Sequence, residues 1–236
     1  MNSALLRSVQ LRMPEPASAH EPFYGLAEPP KVDDLSLQEM ASKTCRACHL
    51  WLCGTETVFG EGPRDARIMM VGEQPGDKED LEGRPFVGPA GAMLDKAMTE
   101  AGLKRDEVYL TNAVKHFKWE RSASGSKRIH GKPNRKEVQA CNPWLQAELQ
   151  IVQPDCLVLL GATASQALLG PNFKLTQHRG EFLPSQIARL VLSTIHPSAI
   201  LRSDDESRRA AYDGLVSDLR LVKEALAQPR PAAQLL

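Results

Sequence analysis

The chain predicts an α/β fold built on a four-stranded parallel sheet, and three observations lead there. Four short apolar runs, Ile68 to Gly72, Val108 to Val114, Cys156 to Gly161 and Leu190 to Ile195, alternate with longer segments of helical spacing. That alternation is what right-handed crossovers between parallel strands require. The 236 residues, 42% hydrophobic and 25% charged, suffice for one compact core. The formal net charge is zero, which together with that apolar content excludes a wholly disordered chain.

Residues 1–34 carry five prolines and no sustained periodicity, so an extended or mobile arm is expected before a domain spanning 35–228. The first strand, IMMVG, runs into a Gly/Pro-rich turn region and then a helix from about Pro89 to Ala101, with Pro89 suited to the first helical position. VYLTNAV is the second strand. CLVLLG is the third and leads into ATASQALLG, a short helix stopped by Gly170. LVLSTI is the fourth and runs into His196-Pro197. An amphipathic helix over about Asp205 to Ala227 closes the domain, and 229–236 reads as a flexible tail.

Twenty-nine Lys plus Arg balance twenty-nine Asp plus Glu, so no whole-protein field favours nucleic acid or anionic membrane, and any such preference must be local. No apolar run reaches the roughly 18 residues of a spanning helix, and Arg7 and Arg12 interrupt the start where a secretory segment would be apolar. A cytoplasmic monomer is expected. Nucleotide cofactors are set aside, because neither GxxxxGK[ST] nor GxGxxG is present.

Glu73 and Gln74 follow the first strand, Asn112 ends the second, and His196 follows the fourth. Residues beyond the carboxyl ends of parallel strands line one crevice, which is where the active site is expected.

Cys45-x2-Cys48 lets two thiolates bind one metal centre from a tight turn, and Cys141 and Cys156 would supply a second pair. Four thiolates suit either a [4Fe-4S] cluster or structural zinc. Equally, Cys141 and Cys156 read as small buried apolar residues. Cys53 is set aside as a non-ligand.

From Lys115 to Lys136, eight cations face one anion, Glu120, leaving a net +7 in 22 residues. With Phe117 and Trp119 interleaved, this stretch suits the phosphates and unstacked bases of a nucleic acid strand. A solvated surface loop is the plainer alternative.

Gly72-Glu73-Gln74-Pro75-Gly76-Asp77, then Gly83-Arg84-Pro85-Phe86-Val87-Gly88-Pro89-Ala90-Gly91, Thr111-Asn112 and His196-Pro197-Ser198 resemble the ordered motifs of iron-sulfur uracil-DNA glycosylases of family 4. The resemblance spans about residues 42–225. It implies a three-layer sandwich with the parallel sheet between helices, uracil-containing DNA as partner, and a [4Fe-4S] cluster on Cys45, Cys48, Cys141 and Cys156. Gln74, where ordinary members typically have Ala, and Lys127-Arg128-Ile129-His130, similar to a KRRIH insertion, narrow the resemblance to the X class. Members of that class bond a loop histidine to the sugar after removing uracil.

The resemblance therefore implies His130 as the trapping nucleophile and Lys127, Arg128 and Ser198 as DNA contacts. Lys127, standing for an arginine, cannot make a two-pronged phosphate contact. Phe86 is implied to stack on uracil, and Asn112 to bond O4 and N3–H. His196 is implied to bond O2, and Gln74 and Asp77 to complete the uracil-binding set, with Gln74 also helping to dock the loop. Glu73 is implied to stabilise the sugar cation, position a water or assist His130. Without the resemblance, Phe86 reads as a core residue and Asn112 as a strand-end group serving a turn. A turnover family 4 enzyme and a non-catalytic iron-sulfur strand-binding module are the competing functions.

Overall fold

The computed structural model describes residues 24–124 and 126–227. Four parallel strands form where the apolar runs predict them: β1 (Ile68–Gly72), β2 (Val108–Asn112), β5 (Cys156–Leu160) and β7 (Leu190–Thr194). Two short strands, β3 (Trp119–Arg121) and β4 (Arg128–His130), lie between β2 and β5 in the chain, and β6 (Phe182–Leu183) precedes β7. The sheet order is β2-β1-β5-β7-β6, with β6 antiparallel at the edge, so the sheet has five strands rather than four. Two residues are too few to show a period, which is why β6 leaves no mark in the sequence.

The three inner strands β1, β5 and β7, and the edge strand β2, are almost wholly buried, because helices cover both faces. One face packs Ile68, Met70, Val158 and Leu192 under α3 (Pro89–Glu100), α7 (Pro197–Arg202) and α8 (Asp205–Ala227). The alternate residues Met69, Val71, Leu157 and Leu159 meet α4 (Arg135–Val152) and α5 (Gly161–Leu169) on the other. This is the expected three-layer sandwich. Full burial of each such side chain contributes roughly 1.5–3 kcal/mol. Among the described residues, no helix is long and apolar enough to cross a membrane.

α3 starts at Pro89 as predicted, since a missing N–H is harmless in a first turn. α4 begins with a reciprocal capping box between Asn134 and Glu137, a signal present in the sequence that the strand count does not use. Two short helices, α2 (Asp77–Glu82) after β1 and α6 (Leu175–His178) before β6, sit in the connections.

A satellite core joins Leu50, Phe59, Val114, Phe117, Trp119, Ala140 and Trp144 beside α1 (Leu35–Ser42). Within the expected arm, residues 24–27 are tied to this core: Gly25 N–H donates to the Ala47 carbonyl and Ala27 N–H to that of Ala140. Residues 1–23 and the tail at 229–236 lie outside the described residues.

Candidate active site

Parallel register sets Gly72 at the end of β1 directly beside Asn112 at the end of β2. A Cβ on Gly72 would overlap the Asn112 amide oxygen and stand 2.7 Å from Phe86 Cζ and 3.4 Å from His196 Nε2. The missing side chain thus leaves a hollow bounded by an amide, an aromatic ring and an imidazole. Asn112 Oδ1 is buried and has no hydrogen-bond partner among the described residues. An unsatisfied acceptor costs roughly 1–3 kcal/mol, which a ligand N–H would recover.

Phe86 adopts φ 55°, a left-handed conformation that a bulky residue rarely holds. Arg105 holds it there, donating to the Phe86 carbonyl at 3.1 Å and to the Pro85 carbonyl at 3.0 Å while paired with Asp95 at 2.8 Å. Gly91 in the first turn of α3 lets this backbone approach, since any Cβ there would overlap the Phe86 carbonyl. The Phe86 ring stacks at 30° to that of His196, with 6.3 Å between centroids.

His196 caps α7: its Nδ1 accepts from the Ser198 N–H at 3.1 Å and lies 2.8 Å from the Ser198 hydroxyl. The ring hydrogen therefore sits on Nε2, the atom nearest the hollow. Burial pushes the imidazole down to about 4, against the pull of Glu73. Ser198, expected to contact DNA, meets this ring with both its N–H and its hydroxyl.

Glu73, one residue past β1, receives His130 Nε2 on Oε1 at 3.1 Å and the Thr163 hydroxyl on Oε2. Burial raises its carboxyl, but the hydrogen bonds from His130 and Thr163 outweigh it and hold the group below its ordinary range. Thr163 is missing from the sequence-derived set. The rule that strand ends line the crevice would have found it, since Gly161-Ala162-Thr163 directly follows β5.

The basic stretch is not a loose loop. β3 and β4 form an antiparallel hairpin that pairs Trp119 with His130, Glu120 with Ile129 and Arg121 with Arg128. Gln74 spends its amide on the hairpin, donating to the Lys118 and Gly131 carbonyls at 3.1 and 3.0 Å and accepting from Lys118 N–H at 3.2 Å. Gln74 thus links the end of β1 to both strands' flanks of the hairpin. Arg128 is only 7% exposed and bonds Asp77 at 2.6 Å and Asp80 at 2.5 Å. Arg128, expected on DNA, and Asp77, expected at uracil, are thus paired with each other in this structure. Phe117 and Trp119 are buried in the satellite core, stacked near Arg128, and offer no face to a base. Lys127 is exposed, and His130 stands 46% exposed above Glu73.

Beneath the hollow lies a buried network that the sequence does not announce. Lys115 Nζ donates to the Thr111 hydroxyl at 2.6 Å, the Asn112 carbonyl at 2.9 Å and Glu148 at 2.5 Å. A charge taken that far from water persists only with partners, so Lys115 is a structural cation supporting Asn112.

The cysteines divide between two cores. Cys48, Cys53 and Cys141 are buried in the satellite core with Cys45 against it. Cys156 lies in the main core, at register with Ile68 and Leu190. Burial pushes the thiols of Cys53, Cys141 and Cys156 up to about 12 and that of Cys48 to about 11. Cys141 Sγ accepts from the Lys115 N–H at 3.2 Å, on the satellite-core side, whereas Cys156 is apart in the main core. Among the described residues no three His, Cys, Asp or Glu side chains are gathered tightly enough to hold a metal. The soft donors that share the satellite core are Cys45, Cys48, Cys53 and Cys141. Cys53, set aside from spacing alone, lies with them, whereas Cys156 packs under helices in the main core. The buried imidazole of His116 adjoins the satellite set: a Cβ on Gly54, the residue after Cys53, would stand 3.2 Å from that ring.

Residues 59–220 match the family model described as the uracil DNA glycosylase superfamily. The type-4 uracil-DNA glycosylase of Thermotoga maritima is 38% identical over 184 residues, covering 77% of this chain and 91% of the relative. That of Saccharolobus solfataricus is 34% identical over 203 residues, covering 83% and 88%. A crystal structure of Pedobacter heparinus SMUG2 shares the fold, with a TM-score of 0.51 at 14% identity over 68% of this chain and 77% of that one. On the family match and the extent of these alignments, the chain belongs to the uracil-DNA glycosylase superfamily and is family 4-like within it.

Proposed function

We propose that this protein excises uracil from DNA and then captures the abasic sugar on His130. The observation that carries the reading is the unpartnered Asn112 oxygen over Gly72, in a hollow walled by Phe86 and His196. A target base leaves the stack to be reached, at a cost of a few kcal/mol that single-stranded DNA avoids, so single strands are favoured. Phe86 covers the face of the flipped ring. Asn112 accepts N3–H and donates to O4, and cytosine presents the reverse pattern at those atoms.

The N1–C1′ bond breaks with its electron pair going to uracil N1. His196 Nε2–H donates to O2 as negative charge grows there, with Ser198 fixing the tautomer. Glu73, kept ionised by Thr163 and His130, faces the developing sugar cation. The Glu73 carboxylate, 3.1 Å away, takes the proton from His130 Nε2, and the lone pair this frees on Nε2 forms the new bond to C1′. Gln74, Asp77 and Asp80 hold the hairpin that presents His130.

A [4Fe-4S] cluster on Cys45, Cys48 and Cys141, completed from the corner formed by Cys53 and His116, would tie the N-terminal segment to α4. When bound it supplies structural cross-linking. Iron content tests the ligand set: Cys156→Ala is expected to keep iron and Cys48→Ala to lose it.

A denaturing gel with a labelled uracil oligonucleotide tests the reaction. The wild type is expected to give a heat-stable shifted band, and His130→Ser free abasic DNA that hot alkali cleaves. A wild type that releases abasic DNA would be a turnover glycosylase, and binding without uracil release would sink the enzymatic reading altogether.

A further inference from the structure

A groove of about 870 Å³ opens beside the active site, between α4, α5 and the segment leaving the hairpin. Thr163, whose hydroxyl holds Glu73, lines it, so the groove and the catalytic crevice share a wall. Lys132, two residues past His130, and Arg135, in the first turn of α4, line it together with the amides of Gln139, Gln166 and Asn172. None of the fourteen described residues lining it is Asp or Glu, although acids equal bases over the whole chain.

Folding does not account for these cations. Neither forms an ion pair among the described residues, and the positive end of a helix dipole disfavours cations at an N-terminus by a few tenths of a kcal/mol each. An anion lying in the groove would reverse that sign. A nucleotide whose C1′ reaches Glu73 and His130 carries phosphates on both sides, and Lys132 and Thr163 set the groove next to that position.

We propose that the groove binds the phosphodiester backbone of the single strand flanking the target nucleotide, with Lys132 and Arg135 as its phosphate contacts. The identity of the strand rests on the uracil reading above. The resemblance singles out neither cation and places the DNA contacts on Lys127, Arg128 and Ser198. With Arg128 and Ser198 engaged inside the protein, the groove supplies the positive surface those residues do not.

Fluorescence anisotropy with a labelled thymine oligonucleotide of up to about 16 nucleotides, a span typical of single-strand sites, tests the groove without requiring excision. Each phosphate contact on a single strand contributes about 0.7 to the slope of log affinity against log salt, so Lys132→Ala/Arg135→Ala should lower that slope by about 1.4. Lys96→Ala/Lys223→Ala removes equal charge from the α3 and α8 face and should keep the wild-type slope. Equal slopes in wild type and groove variant, or equal falls in groove and control variants, would overturn the proposal. Failure of the wild type to release uracil would instead defeat the uracil reading and leave this comparison standing.

Discussion

Asn112 and His196 stand at the ends of buried parallel strands, whereas His130 stands on a three-residue strand paired only with β3. The first two are positioned by the sheet, whose backbone ladder and two packed faces leave little freedom. The hairpin is positioned by side chains, through Gln74 on its carbonyls and Arg128 on Asp77 and Asp80. Sheet-borne groups suit a step that needs fixed geometry, the recognition and departure of a base. A nucleophile borne on the hairpin, the role proposed for His130, can be altered without disturbing that pocket. Uracil release and sugar capture should therefore respond to different substitutions.

The largest expected effect falls on the pocket. Asn112→Ala removes the amide that bonds a developing anion, and release should fall by about 10²–10³, the usual effect of deleting one such donor. Single-turnover release kinetics check this. Arg128→Gln leaves the pocket intact but removes the charge facing Asp77 and Asp80. Adduct yield should drop by roughly tenfold while uracil release changes little, from a loss of about 1.4 kcal/mol in holding the hairpin. Parallel losses in release and capture would show that pocket and hairpin act as one unit.

Arg105→Gln sharpens the comparison within the pocket itself. Without its guanidinium, Phe86 loses the support that offsets its left-handed backbone, and the single-turnover rate constant for uracil release at low enzyme concentration should fall by a few-fold to tenfold, with partial exposure of Arg105 limiting the effect. A rise in the half-saturating enzyme concentration larger than the fall in the maximal single-turnover rate would place the loss in base stacking.

The smallest effect across ordinary conditions is that of pH. His196 must be neutral to accept from Ser198 through Nδ1, and its pKa is pushed down to about 4. Its folded pKa lies below the unfolded value, so the unfolded chain binds the proton more readily. The stability held by neutral His196 is thus complete above about 6.5 and declines as pH falls toward 4. Glu73, also lowered, loses its contribution only as pH falls through its own depressed value. Release should stay nearly level from pH 7 to about 5 and drop near 4, as rate against pH would show. An acid limb centred near 6.5 would place the titration elsewhere.

The four parallel strands, α3 and the closing helix were legible because each depends on local periodicity or on a cap such as Pro89. So was the convergence of Glu73, Asn112 and His196, which follows from chain topology. Residues whose roles depend on which long-range partner they meet were not. Nothing local distinguishes an Arg128 aimed at phosphate from one closed on Asp77 and Asp80, or a Cys156 ligand from a Cys156 in a sheet core. Arg105 acts on a backbone nineteen residues away, and Lys115 looks like part of a basic surface although it is fully buried. Thr163 is available from the strand-end rule, but a hydroxyl at the start of a helix is commonplace and draws no notice.

The most direct test of the pocket is the rate of free uracil release from matched single-stranded oligonucleotides carrying uracil or cytosine at one position, for the wild type and for Asn112→Asp. The wild type should release uracil and leave cytosine untouched. An ionised carboxylate at that position offers acceptors only, so uracil release should fall by about 10² or more, on the order of the loss from one such donor. Unchanged uracil release by that variant would contradict the assignment of the Asn112 hollow as the uracil site.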